Sequence, residues 1–541
     1  MGNDRRLGWA APAALGLLAG LAAGLSLPPL GWPLLLWPAL AVLWGLAGSP
    51  ALAGRAAAAG GAGWGLAAVL LSHRWLLWLH PLDWIGVPLP LSLPLCLLLW
   101  LLVGALGAAL VLLWLLLVRR LDPARPSTAL LAAALWGLAE VGLARGPLFW
   151  IGLGASPLPA DRSLAGLAAL AGAGSVACLQ LLIGWALWRA LVAPARRPAA
   201  LALALLLVVG GHLGGAAALA AAMPASGSPG SGLEGSGLEG TEERLLVLQP
   251  AIPTRRKFEA EEQRRLLGQL ERAQRSLRAA EGFTQAGAPV ASLLLPEGAL
   301  ANGQRLPSPA PVELLSGGFR TQDQELRSSL LRFPAGASEP AAWLDKHRVV
   351  PLGEWVPLAG LLRWSGLSAV GGVEPGPASR LLPRPAGAVG VAICYELADG
   401  AALAAASRDG ARWLLASANL DPYPLLLQGQ FEALARLRAI ESGRWLVSAA
   451  NTGPSLVVDA SGALRQQLPA GRSASAVMSV RQRTGLTPYA RWGELPLLAL
   501  ALLGGLLRLA APLRAGLSGR TPPGRRCAAA GPRLRWPVRG R

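Results

Sequence analysis

Cys394 is the residue around which a chemistry can be built. Of the four cysteines, Cys96 and Cys178 lie in long apolar runs and Cys527 in an arginine-rich tail, so Cys394 stands alone between residues 241 and 490. It ends the apolar stretch of VGVAICYELADG and begins a polar turn, where a side chain can emerge from a sheet edge. The alternative is a buried cysteine packing as a small hydrophobe. Lysine usage supplies a second clue, because only Lys257 and Lys346 among 49 basic residues are lysines. A chain that uses arginine wherever charge suffices, yet keeps lysine in WLDKHRVVPLGE, points to a task needing a compact ammonium: polarising a carbonyl oxygen or settling a thiolate. Lys257 has the weaker case, since it opens a charged helix. Glu297 follows an apolar strand and a proline in LLLPEGAL, where a carboxylate at a strand's C-terminal edge faces a cleft; a solvated turn residue is the bland alternative. Glu354 and Glu396 stand near Lys346 and Cys394 in sequence and would either orient them or serve as surface charges.

These residue types form a working set for acyl transfer. A carboxylate accepts the thiol proton, the thiolate attacks an acyl carbonyl, and an ammonium with a backbone N–H, that of Tyr395, stabilises the oxyanion. Histidine-based catalysis is disfavoured because His347 is the only histidine between 241 and 490, beside Lys346. No cysteine or histidine cluster has metal-ligand spacing and no glycine pattern makes a phosphate loop, so neither metal nor cofactor is expected.

The elements that must position this set divide the chain. Apolar runs of bilayer-crossing length predict eight spans, at 7–27, 29–46, 56–71, 91–118, 129–143, 164–187, 199–222 and 495–513. The first reads as a span rather than a cleaved signal peptide, because its core is long and lacks a clear cleavage site. The formal charge of +19 does not read as nucleic-acid binding. With the N-terminus inside, Arg5, Arg6, Arg55, Arg119, Arg120, Arg125, Arg189, Arg196, Arg197 and the tail share one side, and only Arg74, Arg145 and Arg162 fall in the opposite short loops. That asymmetry places the large domain outside the cytoplasm. The expected units are a seven-span membrane domain over 1–223, a Gly/Ser-rich tether over 224–240, an exported domain over 241–490, a final span over 491–514 and a basic cytoplasmic tail over 515–541. Within the exported domain, strands at 245–248, 292–295, 312–315, 389–393, 413–416, 445–448 and 456–458 alternate with helices at 258–280 and 430–442, which predicts an α/β or mixed layered sheet.

LPEGAL, DKHRVVPLGEWVPL and ICYE resemble, in order, the three catalytic blocks of the nitrilase superfamily, and the surrounding spans are similar to the apolipoprotein N-acyltransferase family over nearly the whole chain. The resemblance implies a multi-pass α-helical membrane domain plus a nitrilase-like α-β-β-α sandwich. It implies Glu297 as general base, Lys346 as oxyanion stabiliser and Cys394 as nucleophile, with Glu354, Tyr395 and Glu396 in support and Arg363, in LLRW, of functional importance. The activity implied is transfer of a fatty acyl chain from a phospholipid, through a thioester on Cys394, to the amino group of an S-diacylglyceryl-cysteine at a lipoprotein's N-terminus. A monomer in the bacterial inner membrane, with its catalytic domain on the periplasmic face, is expected. The chain departs from the family in Phe258 after Lys257, in SANLDPYP (417–424) and in Ser328, which stands where an asparagine is expected. Two other readings compete: a membrane-tethered amidase, and a transporter or scaffold with a degenerate outer domain, for which intramembrane charges such as Glu140 would speak.

Overall fold

The computed structural model describes residues 9–83, 86–222, 240–257, 259–281, 289–351, 354, 372–421 and 423–517. All of the tether but Gly240, and the tail past 517, lie outside them. Each of the eight apolar segments is a helix: α1 (Ala10–Ser26), α2 (Leu36–Gly48), α3 (Gly54–Ser72), α4 (Leu89–Arg120), α5 (Pro126–Ala144), α6 (Ala168–Val192), α7 (Arg197–Ala221) and, after the soluble domain, α11 (Leu495–Leu517). Four of them, α4, α5, α6 and α7, are long and apolar enough to cross a membrane; α1, α2 and α11 contribute shorter apolar stretches, and α3 is rich in alanine and glycine. The outer faces of α4, α7 and α11 expose leucines such as Leu98, Leu102, Leu205, Leu206, Leu502 and Leu506, as lipid-facing helices must. Small residues let the inner faces approach closely: a Cβ on Gly65 would fall 2.3 Å from the Gly107 carbonyl oxygen.

Between α7 and α11 two six-stranded sheets stack. One runs β12-β1-β2-β3-β4-β5 and the other β11-β10-β9-β8-β7-β6, the strands being β1 (Glu242–Gln249), β2 (Val290–Leu300), β3 (Glu313–Gln322), β4 (Glu325–Phe333), β5 (Ala342–Asp345), β6 (Leu381–Leu382), β7 (Val389–Ile393), β8 (Trp413–Ala418), β9 (Leu446–Ala450), β10 (Leu456–Val458), β11 (Leu464–Gln467) and β12 (Ala474–Arg481). Strand alternation sorts the apolar residues into layers. Leu245, Val247, Leu294 and Leu315 face Val391, Ile393, Leu415 and Val447 between the sheets. Leu246, Leu248, Leu293 and Leu295 face outward onto Leu266, Leu270 and Leu277 of α8 (Ala260–Glu281). On the other side, Leu414, Ala416 and Leu446 pack on α10 (Leu425–Ser442), which follows α9 (Gly400–Arg408) and ends at Gly443 in the left-handed conformation. The result is an α-β-β-α stack.

That last helix layer is pressed against one end of the membrane bundle. Gln430 Nε2 donates to the carbonyl of Ser72 at 2.9 Å, Arg255 to that of Pro81, Arg348 to that of Ala144, and Arg483 to that of Ala222, while Glu441 accepts from the N–H of Ala173. These anchors are the C-terminal ends of α3, α5 and α7, the connection between α3 and α4, and the first turns of α6. The arginines at the opposite end bond among loops of their own, Arg119 to the carbonyls of Leu46 and Leu52 and Arg508 to that of Leu121.

Several strands differ from their expected bounds. β2 does not stop at Leu295 but runs through Glu297 to Leu300, with a register shift against β3 between Leu295 and Leu300. β3 reaches Gln322 and pairs with β4, a hairpin whose polar, glycine-bearing sequence gave no apolar run to read. The edge strands β5, β11 and β12 were equally silent.

The mouths of the parallel strands where β1, β2, β3 and β8 begin are closed by a buried ionic plug. Arg384 donates to Glu243 at 2.5 Å, to Glu313 at 2.7 Å and to Ser292 at 2.9 Å, and Glu243 also accepts from Trp413 and Gln482. Arg384→Ala leaves the buried Glu243 without its cation, while Glu313 keeps Arg332, so a loss of about 3–5 kcal/mol is expected in denaturant unfolding of the two-sheet domain within the full chain. Loss of less than about 1 kcal/mol would show that the plug does not hold the sheets together.

Candidate functional site

The site lies at the other end of the same strands. Cys394 follows the last residue of β7 and has φ of +55°, a left-handed conformation that a cysteine adopts only under constraint. The constraint is Glu396. Its Oε2 accepts from the N–H of Ile393 at 2.8 Å, and its Oε1 accepts from the N–H groups of His347 at 2.7 Å and Arg348 at 3.0 Å. Arg380 neutralises this carboxylate at 3.0 Å and also donates to the carbonyl of Asp345. One buried carboxylate therefore fixes both the turn that bears the thiol and the segment that bears Lys346.

Lys346 directly follows β5. Its N–H donates to the carbonyl of Ser328 and its carbonyl accepts from Gly376, so β4 supplies a backbone atom at the position where the family's asparagine is missing. The ammonium is 1% exposed and donates to Glu297 Oε1 at 2.7 Å and to Glu354 Oε1 at 2.8 Å. Burial alone would pull this group down, but the two carboxylates hold it well above the ordinary lysine range. Burial pushes Glu354 up, with Lys346 opposing.

Glu297 sits on the irregular stretch of β2 that re-aims its side chain. Its backbone is pressed against Gly317, where a Cβ would fall 2.3 Å from the Glu297 Cα. Its second oxygen, Oε2, accepts from the N–H of Asn419 at 3.0 Å. Asn419 lies in the departing loop SANLDPYP, and its side chain reaches Thr254 and Asn451. The loop's altered sequence is thus wired into the site rather than detached from it.

Cys394 is close enough to Glu297, Lys346 and Glu354 for all three charges to act on it, and the N–H of Tyr395 donates to its sulfur. Burial pushes the thiol well above its usual range; Glu297 pushes the same way and Lys346 opposes. An aromatic group lies in the same neighbourhood. Tyr423, Phe149 and Cys394 border one apolar cluster, the Trp75 and Tyr423 rings are 5.6 Å apart, Trp75 and Phe149 5.9 Å, and Phe149 and Phe431 5.5 Å. Trp75 and Phe149 lie between helices of the bundle, so this aromatic wall joins the cluster that Cys394 borders to the bundle end.

The expected residues Glu297, Lys346, Cys394, Glu354, Tyr395 and Glu396 are brought together; Arg363 lies outside the described residues. His347 turns away, bonding Gly376. Lys257, given the weaker case, belongs to the site: it precedes α8, is buried, and donates to the carbonyl of Glu297 at 3.2 Å. Its rarity as one of two lysines was the signal for it. Tyr423 and Arg380 carried none, since an aromatic in a loop and one arginine among dozens look ordinary.

Residues 368–486 match the family described as Carbon-nitrogen hydrolase. Over 519 residues the chain is 47% identical to the apolipoprotein N-acyltransferase of Prochlorococcus marinus (strain MIT 9313), covering 93% of this chain and 96% of that one. The apolipoprotein N-acyltransferase of Parasynechococcus marenigrum (strain WH8102) is 47% identical over 487 residues, covering 89% and 97%. That of Gloeobacter violaceus (strain ATCC 29082 / PCC 7421) is 33% identical over 544 residues, covering 94% of each chain. With identity of this extent running through the helical bundle and the two-sheet domain alike, the chain belongs to the apolipoprotein N-acyltransferase family.

Proposed function

We propose that this protein N-acylates apolipoproteins by taking a fatty acyl chain from a membrane phospholipid as a thioester on Cys394 and passing it to the amino group of an S-diacylglyceryl-cysteine. Glu297 accepts the thiol proton as the sulfur attacks the ester carbonyl. The ester C–O bond breaks, and the departing lysophospholipid oxygen takes the proton from Glu297. In the second half the amine attacks the thioester, gives a proton to Glu297, and the C–S bond breaks to return the thiolate, which recovers that proton. Each half passes through an oxyanion. Lys346 has three N–H donors, two of which bond Glu297 and Glu354; the third, with the N–H of Tyr395, serves the oxyanion.

The observation that carries this reading is the juxtaposition of the buried Glu297–Lys346–Glu354 cluster with an aromatic wall reaching the helical bundle. A water-soluble amide has no use for such a wall. Donor and acceptor both carry acyl chains, and exposing each CH₂ to water costs about 0.8 kcal/mol. A site docked on the bundle's end removes the need. The eight helices are read as eight spans, with the arginine-rich loops cytoplasmic and the catalytic domain outside, in the inner membrane of a bacterium. The protein acts as a monomer without nucleic acid; Glu140 is held by Trp136 and the N–H of Leu153, which gives the transporter reading no open charge there.

Two outcomes are expected. Glu297→Gln removes a negative charge that holds the thiol up, so alkylation of Cys394 by iodoacetamide at neutral pH should quicken by at least severalfold, while Lys346→Met, which removes the opposing positive charge, should slow it. Equal alkylation rates in all three proteins would mean that these charges do not reach the sulfur. Incubating wild type with phospholipid should add the mass of one long acyl chain to Cys394, released onto a diacylglyceryl-cysteine peptide. Glu297→Gln should lower thioester formation by about 10²–10⁴-fold despite its faster alkylation. An acylated peptide produced by Cys394→Ala, or a wild type that only hydrolyses soluble amides, would defeat the proposal.

A further inference from the structure

Lys257 lies outside the set that the reaction above uses, yet its ammonium is buried against the backbone of Glu297. The residue is 7% exposed, and its Nζ donates to the Glu297 carbonyl at 3.2 Å, the one hydrogen bond shown for the ammonium among the described residues. The space it occupies exists because residue 298 is glycine. A Cβ there would stand 2.5 Å from Nζ, and Gly298 has φ of +60°, a conformation that also disfavours other residues. The charges facing it come from every neighbouring element: Glu297 on β2, Asp421 in the loop after β8, and Lys346 after β5. Asp421 and Asn419 in turn bind Thr254, three residues before Lys257, so the segment before α8 is clasped to the loop that holds the Glu297 carboxylate.

We propose that Lys257 is a positioning residue of the acyl transfer: seated in the gap at Gly298, its ammonium clamps the Glu297 carbonyl and fixes the turn that aims the Glu297 carboxylate between Lys346 and the N–H of Asn419. The inference rests on the reading of Glu297 as the proton acceptor. A neutral or longer side chain does not reproduce the clamp. Arginine carries the charge on a broader planar head, which the gap against Gly298 does not admit. Lysine's retention in a chain that otherwise uses arginine follows from this constraint, as it does at Lys346. Burial, with Lys346 adding to it and Glu297 and Asp421 opposing, pulls the Lys257 ammonium down to about 8. The clamp is therefore mostly charged at neutral pH and loses its charge as pH rises through that value.

The test follows single-turnover acylation of Cys394 in the full-length protein by mass spectrometry, with micellar phospholipid and, in parallel, with a water-soluble activated acyl ester. Misplacing a catalytic group by about 1 Å costs on the order of 100-fold. Lys257→Gln should therefore lower the acylation rate constant by roughly 100-fold at neutral pH with both donors, leave the half-saturating donor concentration within about threefold, and abolish a fall in rate that wild type shows above pH of about 8. Lys257→Arg should not restore the rate, and Gly298→Ala, which pushes the ammonium away, should lose it too. A Lys257→Gln rate within about threefold of wild type, or a loss confined to half-saturation, overturns the proposal. Should that variant fail to fold, wild-type behaviour decides: a rate that does not fall above pH of about 8, or undiminished acylation by Gly298→Ala, overturns it equally. A wild type acylated by the ester but not by phospholipid refutes the donor assigned above, while the comparison of variants on the ester still decides the role of Lys257.

Discussion

A single ammonium in a nearly dry site, held between two carboxylates, governs how this domain is assembled. Lys346 could not stay charged where it is without Glu297 and Glu354, because an isolated ion in a protein interior costs far more than folding can supply. The carboxylates depend on it in return. The irregularity of β2 that delivers Glu297, the tight approach of Gly317, and the hydrogen bonds that fix both the N–H and the carbonyl of Lys346 are the means by which three strands bring these charges to one point. Lys346 alone leaves its two carboxylates one positive charge short, and Lys257, buried against the Glu297 carbonyl, supplies a second. Burial, with Glu297 adding to it, keeps the neighbouring thiol in its neutral form.

Glu396 does for the nucleophile what Glu297 and Glu354 do for the lysine. A cysteine at φ of +55° is a strained arrangement, and strain of this kind persists only where surrounding bonds over-determine it. Three backbone N–H groups and Arg380 converge on that one carboxylate, two of the N–H groups coming from the segment after Lys346. The thiol and the ammonium are therefore not independently placed; moving one turn moves the other. At the far end of the strands, the Arg384 plug pairs its guanidinium with Glu243 and Glu313 away from any nucleophile, which separates a structural ionic cluster from the one that neighbours the thiol.

Much of this was legible in the chain because the chemistry needs rare residues. A cysteine alone between residues 241 and 490 and two lysines among 49 basic residues stand out in composition alone, and apolar runs marked each of the eight apolar helices. Strands that alternate weakly did not stand out. β12 buries one face with methionine and valine while the other carries arginine and serine, β4 mixes buried serines with leucines on both faces, and β11 is exposed throughout, so neither apolar runs nor charge betrayed them. Position in space was the other hidden quantity. Lys257 looked like the opening of a solvated helix because its neighbours Arg255 and Arg256 are exposed; only the fold reveals that the chain turns there and drives the next residue inward against Gly298. At two of the positions that depart from the expected pattern the contribution comes from the backbone: Ser328 acts through its carbonyl, an atom every residue has, and Asn419 through its N–H.

The aromatic wall bears on more than lipid binding. In the proposed route the thioester must wait for a second lipidated substrate, and a thioester beside a general base is exposed to hydrolysis if water reaches it. Tyr423, Trp75, Phe149 and Phe431 pack edge-to-face and stacked in the apolar cluster that Cys394 borders, and burial holds the Tyr423 hydroxyl well above its ordinary range, so that it offers no base of its own. Excluding water in this way raises the thiol's pKa as an unavoidable consequence, since the same low-polarity surroundings that protect a thioester destabilise a thiolate. A carboxylate within reach of the sulfur, rather than a cysteine made acidic in advance, is the arrangement that reconciles a long-lived acyl-enzyme with a nucleophile that can still be deprotonated.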